Sequence, residues 1–212
     1  PYTTLFRSEQ GIAIARGKAM LRKRMVELLE DTDQKLSPCM KREFKGLHEY
    51  LLKIEDQIEA HTVAIEKAAK EDEYCKRISS IPGLGSITST ALIAKIGNGS
   101  EFRAGRELSA YLGLVPRQHS SGETRKLLGI SKNGDRYLRQ LLIHGGRSAV
   151  KAALRMNVLT KLPEKQDKHS QWIRKLVERA GMNKASVAVA NKNARMVIAL
   201  LKGRSDFDAV FA

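Results

Sequence analysis

The chain has 212 residues, 42 % of them hydrophobic, enough for one good core or for a smaller core with an extended helical arm. Its 38 Lys and Arg against 23 Asp and Glu leave a formal charge of +15, an excess that serves a polyanion, nucleic acid before an anionic membrane surface. No run approaches the ~20 apolar residues of a spanning helix and no secretory or lipidation motif is present, so a membrane partner is not expected and a cytoplasmic location is.

Residues 1–8, Pro-Tyr-Thr-Thr-Leu-Phe-Arg-Ser, read as the translation of a sequencing-library adapter. They are expected to be a scar, with the natural frame continuing upstream of Glu9. From Ile12 to Glu30 a basic amphipathic helix is predicted, with Ile14, Met20, Leu21, Met25, Leu28 and Leu29 on its apolar side. It stops near Asp31-Thr32-Asp33, and Ser37-Pro38 marks a new start, Ser capping and Pro just inside. Phe44, Leu47, Leu51, Ile54, Ile58, His61, Ile65 and Ala68 then follow at alternating steps of three and four, a heptad seam. That pattern predicts a coiled coil, either a hairpin with the preceding helix or a contact between copies; an ordinary core-facing helix is the plainer alternative. Cys39 and Cys75 have no paired spacing and are expected to be ordinary small hydrophobes.

The composition changes at Ile81-Pro82-Gly83-Leu84-Gly85, and a domain boundary is placed near Tyr74. The segment Ile78 to Ala94 resembles a helix-hairpin-helix element. Glycines there reach positive φ and let the backbone approach a ligand closely, and the following helix offers unpaired N–H groups to a phosphate. Gly83 and Gly85 are therefore candidate DNA contacts, a purely structural turn being the rival reading. Between Arg103 and Arg155, eight Arg and three Lys face only Glu107, Glu123 and Asp135, so the basic charge is concentrated here.

Within that stretch Ser120 and Ser121 precede Gly122 in a basic loop. A serine that attacks a phosphodiester needs an exposed loop, nearby cations and a route for its proton. Arg117, Arg125, Lys126, Lys132, Arg136 and Arg139 are the candidate cations, although Ser-Ser-Gly is also an ordinary turn. Ser131-Lys132-Asn133-Gly134-Asp135 reads as a cap and turn opening a helix from Arg136 to Val150. His119 adjoins Ser120 without that adjacency placing the two in reach, and His144 is expected to be a core or capping histidine. The scattered Glu107, Glu123 and Asp135 do not make a metal site. After a polar stretch from Lys161 to Ser170, helices are predicted over Trp172–Arg179 and Asn183–Leu201, ended by Gly203. Strand alternation is weak throughout, and the fold is predicted to be mostly α: a helical coiled-coil arm over 9–73, then a compact helical domain over 74–212.

Three runs together resemble a known family: Ile81-Pro82-Gly83-Leu84-Gly85; Gly113-Leu114-Val115-Pro116-Arg117-Gln118-His119-Ser120-Ser121-Gly122; and Gly129 to Arg139, with the late Asn191-Lys192-Asn193-Ala194-Arg195. They look like the C-terminal domain of insertion-sequence transposases that pair a resolvase-like N-terminal nuclease domain with a serine-bearing transposase domain, a family whose better-studied members are guided by a bridge RNA. The resemblance implies a bacterial DNA recombinase with Ser121 as nucleophile, Ser120 the neighbouring alternative, and a covalent 5′-phosphoserine intermediate. It further implies magnesium held by acidic residues of the N-terminal domain, whose motifs are not in this chain, so no cofactor is expected here and cleavage by the chain alone is not either. DNA, a guide RNA and further copies through the arm are the implied partners. The competing reading is a binding module that docks on DNA or RNA with its serines as turn residues. A structural coiled-coil protein would leave the charge after Arg103 unexplained.

Overall fold

The computed structural model describes residues 17–30, 37–121, 124–159 and 168–203. The adapter-like residues 1–8, the start of the first predicted helix, its stop at 31–33, Gly122, Glu123 and the polar stretch from 161 to 167 lie outside them. The chain divides into two compact units, Pro1–Thr62 and Val63–Ala212.

The first unit is built on α1 (Lys18–Glu30) and on α2 (Pro38–Glu71) as far as Thr62. Ser37 starts α2 as its sequence requires: Met40 N–H donates to Ser37 Oγ at 3.3 Å, and Pro38 takes the first helical position, where its missing N–H costs nothing. The apolar side of α1 buries Met25 and Leu28. Lys18 (2.8 Å) and Arg22 both pair with Glu55 of α2, so α1 lies against α2 and the carboxylate, itself 9 % exposed, is neutralised from two sides. The seam of α2 is only partly used. Phe44, Leu51 and Ile54 are half-buried, whereas Leu47 is 60 % and Ile58 56 % exposed.

In the second unit α2 ends at Glu71 and Asp72 caps α3 (Glu73–Ser79), accepting from Cys75 N–H at 2.7 Å. Next come α4 (Ser86–Ile96), α5 (Gly105–Tyr111), a two-stranded antiparallel ribbon of β1 (Pro116–Ser121) and β2 (Thr124–Ile130), then α6 (Arg136–Leu159), α7 (Lys168–Ala180) and α8 (Met182–Leu201). The fold is mostly helical, as expected. The ribbon was not, and α6 runs nine residues past Val150.

The core is organised around α8, which buries eleven side chains, among them Val189, Ala190, Ala194, Val197 and Ile198. Ile78, Ile81, Leu84, Leu92, Leu108, Leu112, Leu138 and Leu142 close over its C-terminal half, while Val150, Ala153, Ile173 and Leu176 pack near its start. Small residues set how close the helices come. A Cβ on Gly146 would overlap the Ser186 carbonyl of α8, and one on Gly105 would overlap the backbone of Arg195. Cys75 is buried and Cys39 exposed, both free. Burial, reinforced by Asp72, pushes the Cys75 thiol above its ordinary value, so it behaves as an inert apolar group.

Candidate nucleic-acid interface

The glycine turn joins α3 to α4 over residues 80–85, and its two glycines do different work. Gly83 has φ +91, and a Cβ there would overlap the carbonyl of Gly145 in α6; a Cβ on Gly145 would meet Gly83 in the same way. Gly83 is thus a close-packing residue, half-buried against α6. Gly85 has open space where its Cβ would be and stands at the N-cap of α4 with no side-chain cap. It is exposed, and the start of an eleven-residue helix beyond it carries the positive end of the dipole. Beside that start, Lys70, Lys76, Ser79 and Ser86 line a cavity of about 360 Å³ with Ala69. Lys70 and Lys76 carried no motif. They come from the end of α2 and from α3, and meet Ser79 and Ser86 at the turn.

The second feature is the ribbon. Ser131 N–H donates to Val115 carbonyl at 2.8 Å and Lys132 N–H to Gly113 carbonyl at 3.1 Å, which knit its base. Gly113 (φ +66) and Gly134 (φ +72) lie against the backbones of Asn133 and Tyr111, where a Cβ would not fit. Lys132 itself has φ 60, a left-handed conformation costly for a lysine and held by these bonds. From that base β1 and β2 run outward with His119 opposite Lys126, Ser120 opposite Arg125 and Ser121 opposite Thr124; an irregularity falls at Arg117. Ser121 is the last residue of β1 and so sits at the far end of the ribbon.

Ser120 is held within its own strand. Ser120 shares a face with Gln118, whose Nε2 donates to Ser120 Oγ at 2.6 Å. Arg117 and His119 are both exposed. His119 and its sequence neighbour Ser120 fall on opposite faces of β1.

The third feature is the start of α6, which Asp135 caps by accepting from Leu138 N–H at 3.0 Å. Arg136 is exposed. Arg139, by contrast, is 9 % exposed, and one of its terminal nitrogens donates to the carbonyls of Asn133 (2.8 Å) and Leu112 (3.2 Å). The structure therefore brings Arg117, Lys132 and Arg136 to the surface around the ribbon and spends Arg139 on holding the ribbon's base. Arg125 and Lys126 take their places on β2 opposite Ser120 and His119.

Asparagines of α8 tie these features to the core. Asn191 Nδ2 donates to Ser109 Oγ (2.7 Å) and to the Leu114 carbonyl (3.0 Å), just before the ribbon. Asn193, fully buried, donates to the Pro82 carbonyl in the glycine turn at 3.1 Å. Between them Lys192 lies 4.3 Å from the centroid of the Trp172 ring, and burial, with Arg195 adding to it, holds its ammonium below the ordinary lysine range. The residues Asn191 to Arg195, singled out in the sequence as a motif, thus position the site's loops from behind.

His144, expected in the core or at a cap, is exposed on the outer side of α6. Of its apolar neighbours Leu142 is buried and Leu141 and Ile143 are half-buried. Among the described residues no three His, Cys, Asp or Glu side chains converge as metal ligands, so none of them fits the magnesium site that the resemblance implies. No helix among these residues is long and apolar enough to cross a membrane.

Residues 75–160 match the family described as Transposase IS116/IS110/IS902 family. The chain is 42 % identical over 193 residues to the transposase for insertion sequence element IS1111A of Coxiella burnetii, covering 91 % of this chain and 50 % of that protein. It is 40 % identical over 162 residues to a probable family 20 transposase of Pseudomonas aeruginosa, covering 76 % of this chain and 43 % of the other. Against the transposase for insertion sequence element IS1328 of Yersinia enterocolitica it is 33 % identical over 191 residues, 90 % of this chain and 54 % of that one. The chain spans about half the length of these curated relatives.

Proposed function

The chain belongs to the insertion-sequence transposases of the IS116/IS110/IS902 family, and on that premise we propose that it is the part of such an enzyme that grips DNA and carries its nucleophile, Ser121. The observation that carries this reading is the ribbon: a firmly anchored base and an exposed first strand, with Arg117 and His119, that ends at Ser121.

In the proposed step the Ser121 oxygen attacks a backbone phosphorus, forming a serine ester with the 5′-phosphate. The bond from phosphorus to the 3′-oxygen breaks, and that oxygen leaves as a 3′-hydroxyl after taking a proton. Arg117, Arg125, Lys126, Lys132 and Arg136 stabilise the charge that builds on the equatorial oxygens. Reversal with a different 3′-hydroxyl rejoins strands with no outside energy source, because one phosphoester replaces another. Ser120 is disfavoured as nucleophile because its Oγ lone pair already accepts from Gln118 Nε2.

Phosphate grip at the turn is assigned to Gly85, Ser86, Lys70 and Lys76, in the manner of a helix-hairpin-helix contact, with Gly83 as the residue that seats the turn on α6. Magnesium would be supplied by acidic residues outside the described ones, in the resolvase-like domain the resemblance implies. The exposed Leu47 and Ile58 of α2 support self-association through the arm, which recombination of paired ends requires. A guide RNA is a further partner on this reading.

The test is covalent trapping by the full-length transposase on its element's end DNA. Wild type and Ser120→Ala should yield a protein–DNA adduct, and Ser121→Ala should not. An adduct that survives Ser121→Ala and disappears with Ser120→Ala would move the nucleophile by one residue; one that survives both would leave a binding module in place of an enzyme.

A further inference from the structure

The outer side of α6 is a long cationic surface that, beyond Arg136, neither the ribbon nor the glycine turn uses. Its 24 residues contain no Asp or Glu. Leu138, Arg139, Leu142, Gly145, Gly146, Ala149, Val150 and Ala153 face inward and are buried. Arg136, Gln140, His144, Arg147, Lys151 and Arg155 are all exposed, at steps of four, four, three, four and four. At 3.6 residues per turn those six fall within an arc of about 100°, and they extend over about 28 Å at 1.5 Å per residue.

Among the described residues none of the four cations of this stripe is in an ion pair. Arg147 makes only a long contact, 3.4 Å, to Asn183 Oδ1 at the start of α8, where Lys184 adds another exposed cation. The nearest carboxylate in sequence, Asp135, is taken up in capping the helix. The inner side is fixed closely from two directions, by Gly145 on Gly83 and Gly146 on Ser186, so the stripe is presented on a rigid rod.

We propose that this face of α6 docks along duplex DNA, its side lying in the major groove. Arg136 at one end and Arg147, Lys151 and Arg155 at the other contact phosphates, and Gln140 and His144 between them meet base edges. The B-form major groove, about 12 Å wide, admits an α-helix, and Gln and His offer both donors and acceptors to its edges. Duplex RNA fits less well, because the A-form major groove is deep and too narrow for side chains to read. An acidic protein surface would not call for six polar or cationic residues in register over five turns with no apolar anchor among them. The inference rests on the chain being a DNA-acting transposase, and it assigns that enzyme a second contact surface, which shares Arg136 with the cations of the ribbon and extends along α6 beyond it.

The test compares full-length wild type with the triple variant Arg147→Gln, Lys151→Gln, Arg155→Gln and with a control, Lys23→Gln, Lys45→Gln, Lys53→Gln, which removes equal charge from exposed positions of α1 and α2. Binding to a 30-base-pair DNA duplex and to an RNA duplex of the same sequence is measured across a salt series, and melting is followed to confirm folding. The α6 triple is expected to lower DNA affinity on the order of 10- to 100-fold near 0.15 M salt and to reduce the salt slope by about 2–3, close to 0.9 per lost phosphate contact. The control should change affinity no more than about threefold by the same reasoning. Gln140→Ala with His144→Ala should leave the salt slope intact and weaken preference among DNA sequences. Equal losses in the α6 triple and the control, or an unchanged slope, would overturn the assignment, and RNA bound as tightly as DNA with the same loss in the triple would make the stripe an RNA surface. Adduct formation at Ser121, assayed in parallel, separates the two readings: an adduct with no α6 effect sinks only the docking face, whereas wild type that binds no DNA sinks both.

Discussion

The Arg139 guanidinium, buried and donating to the carbonyls of Asn133 and Leu112, holds the strand entrance, the ribbon exit and the first turn of α6 together. Arg139→Met retains much of the aliphatic packing but leaves those carbonyls without a donor, and should cost about 2 kcal/mol in urea unfolding. Arg139→Lys is not expected to restore it, since an ammonium cannot reproduce the planar fork. The paired glycines offer a sharper contrast. Gly83→Ala forces a Cβ into the Gly145 carbonyl at positive φ and should destabilise by about 2–3 kcal/mol, whereas Gly85→Ala, in open space, should cost under about 0.5 kcal/mol while weakening DNA binding. Equal stability losses at the two positions would contradict these separate roles. Their residue types were plain in the sequence, but which glycine faces solvent depends on Gly145, more than sixty positions away.

At the scale of elements, the ribbon is the part that sequence periodicity could not reach. Strands announce themselves by alternation when one face is buried, and here neither is: Pro116 to Ser120 are exposed, and Leu127 is 67 % exposed. With nothing in the core to select its register, β1 read as a basic loop. The caps were easier, because Ser37 and Asp135 act within three residues of themselves. A ribbon that contributes so little burial can be removed. Replacing residues 116–130 with a short Gly-Ser linker should leave helix content and melting temperature nearly unchanged and abolish adduct formation; collapse of the helical fold would show that the ribbon is a structural strut instead.

For the whole molecule, α8 is the organising piece: Asn191 reaches the ribbon's entrance and Asn193 the glycine turn, so two loops separated by some thirty residues are indexed to one helix. The helical class and some helix ends, among them Glu30, Pro38, Arg136 and Leu201, follow from 3.6-residue periodicity and caps. The linkage between loops does not, because hydrogen bonds spanning 77 to 111 positions leave no local trace. The arm is the other large-scale element, with an apolar seam whose Leu47 and Ile58 remain exposed. Leu47→Lys with Ile58→Lys should shift the full-length protein from oligomer to monomer in sedimentation without loss of helix; an unchanged sedimentation coefficient would place self-association elsewhere.

The assignment of strand-transfer chemistry to the tip of the ribbon is tested most directly by mass spectrometry of the trapped adduct. Trypsin cuts after Arg117 and Arg125, releasing Gln118–Arg125 with Ser120, Ser121 and Thr124 as its hydroxyls. A nucleotide ester fragmenting to Ser121 is the expected result. An ester on Ser120 or Thr124, or an unmodified peptide alongside an adduct elsewhere in the chain, would contradict it.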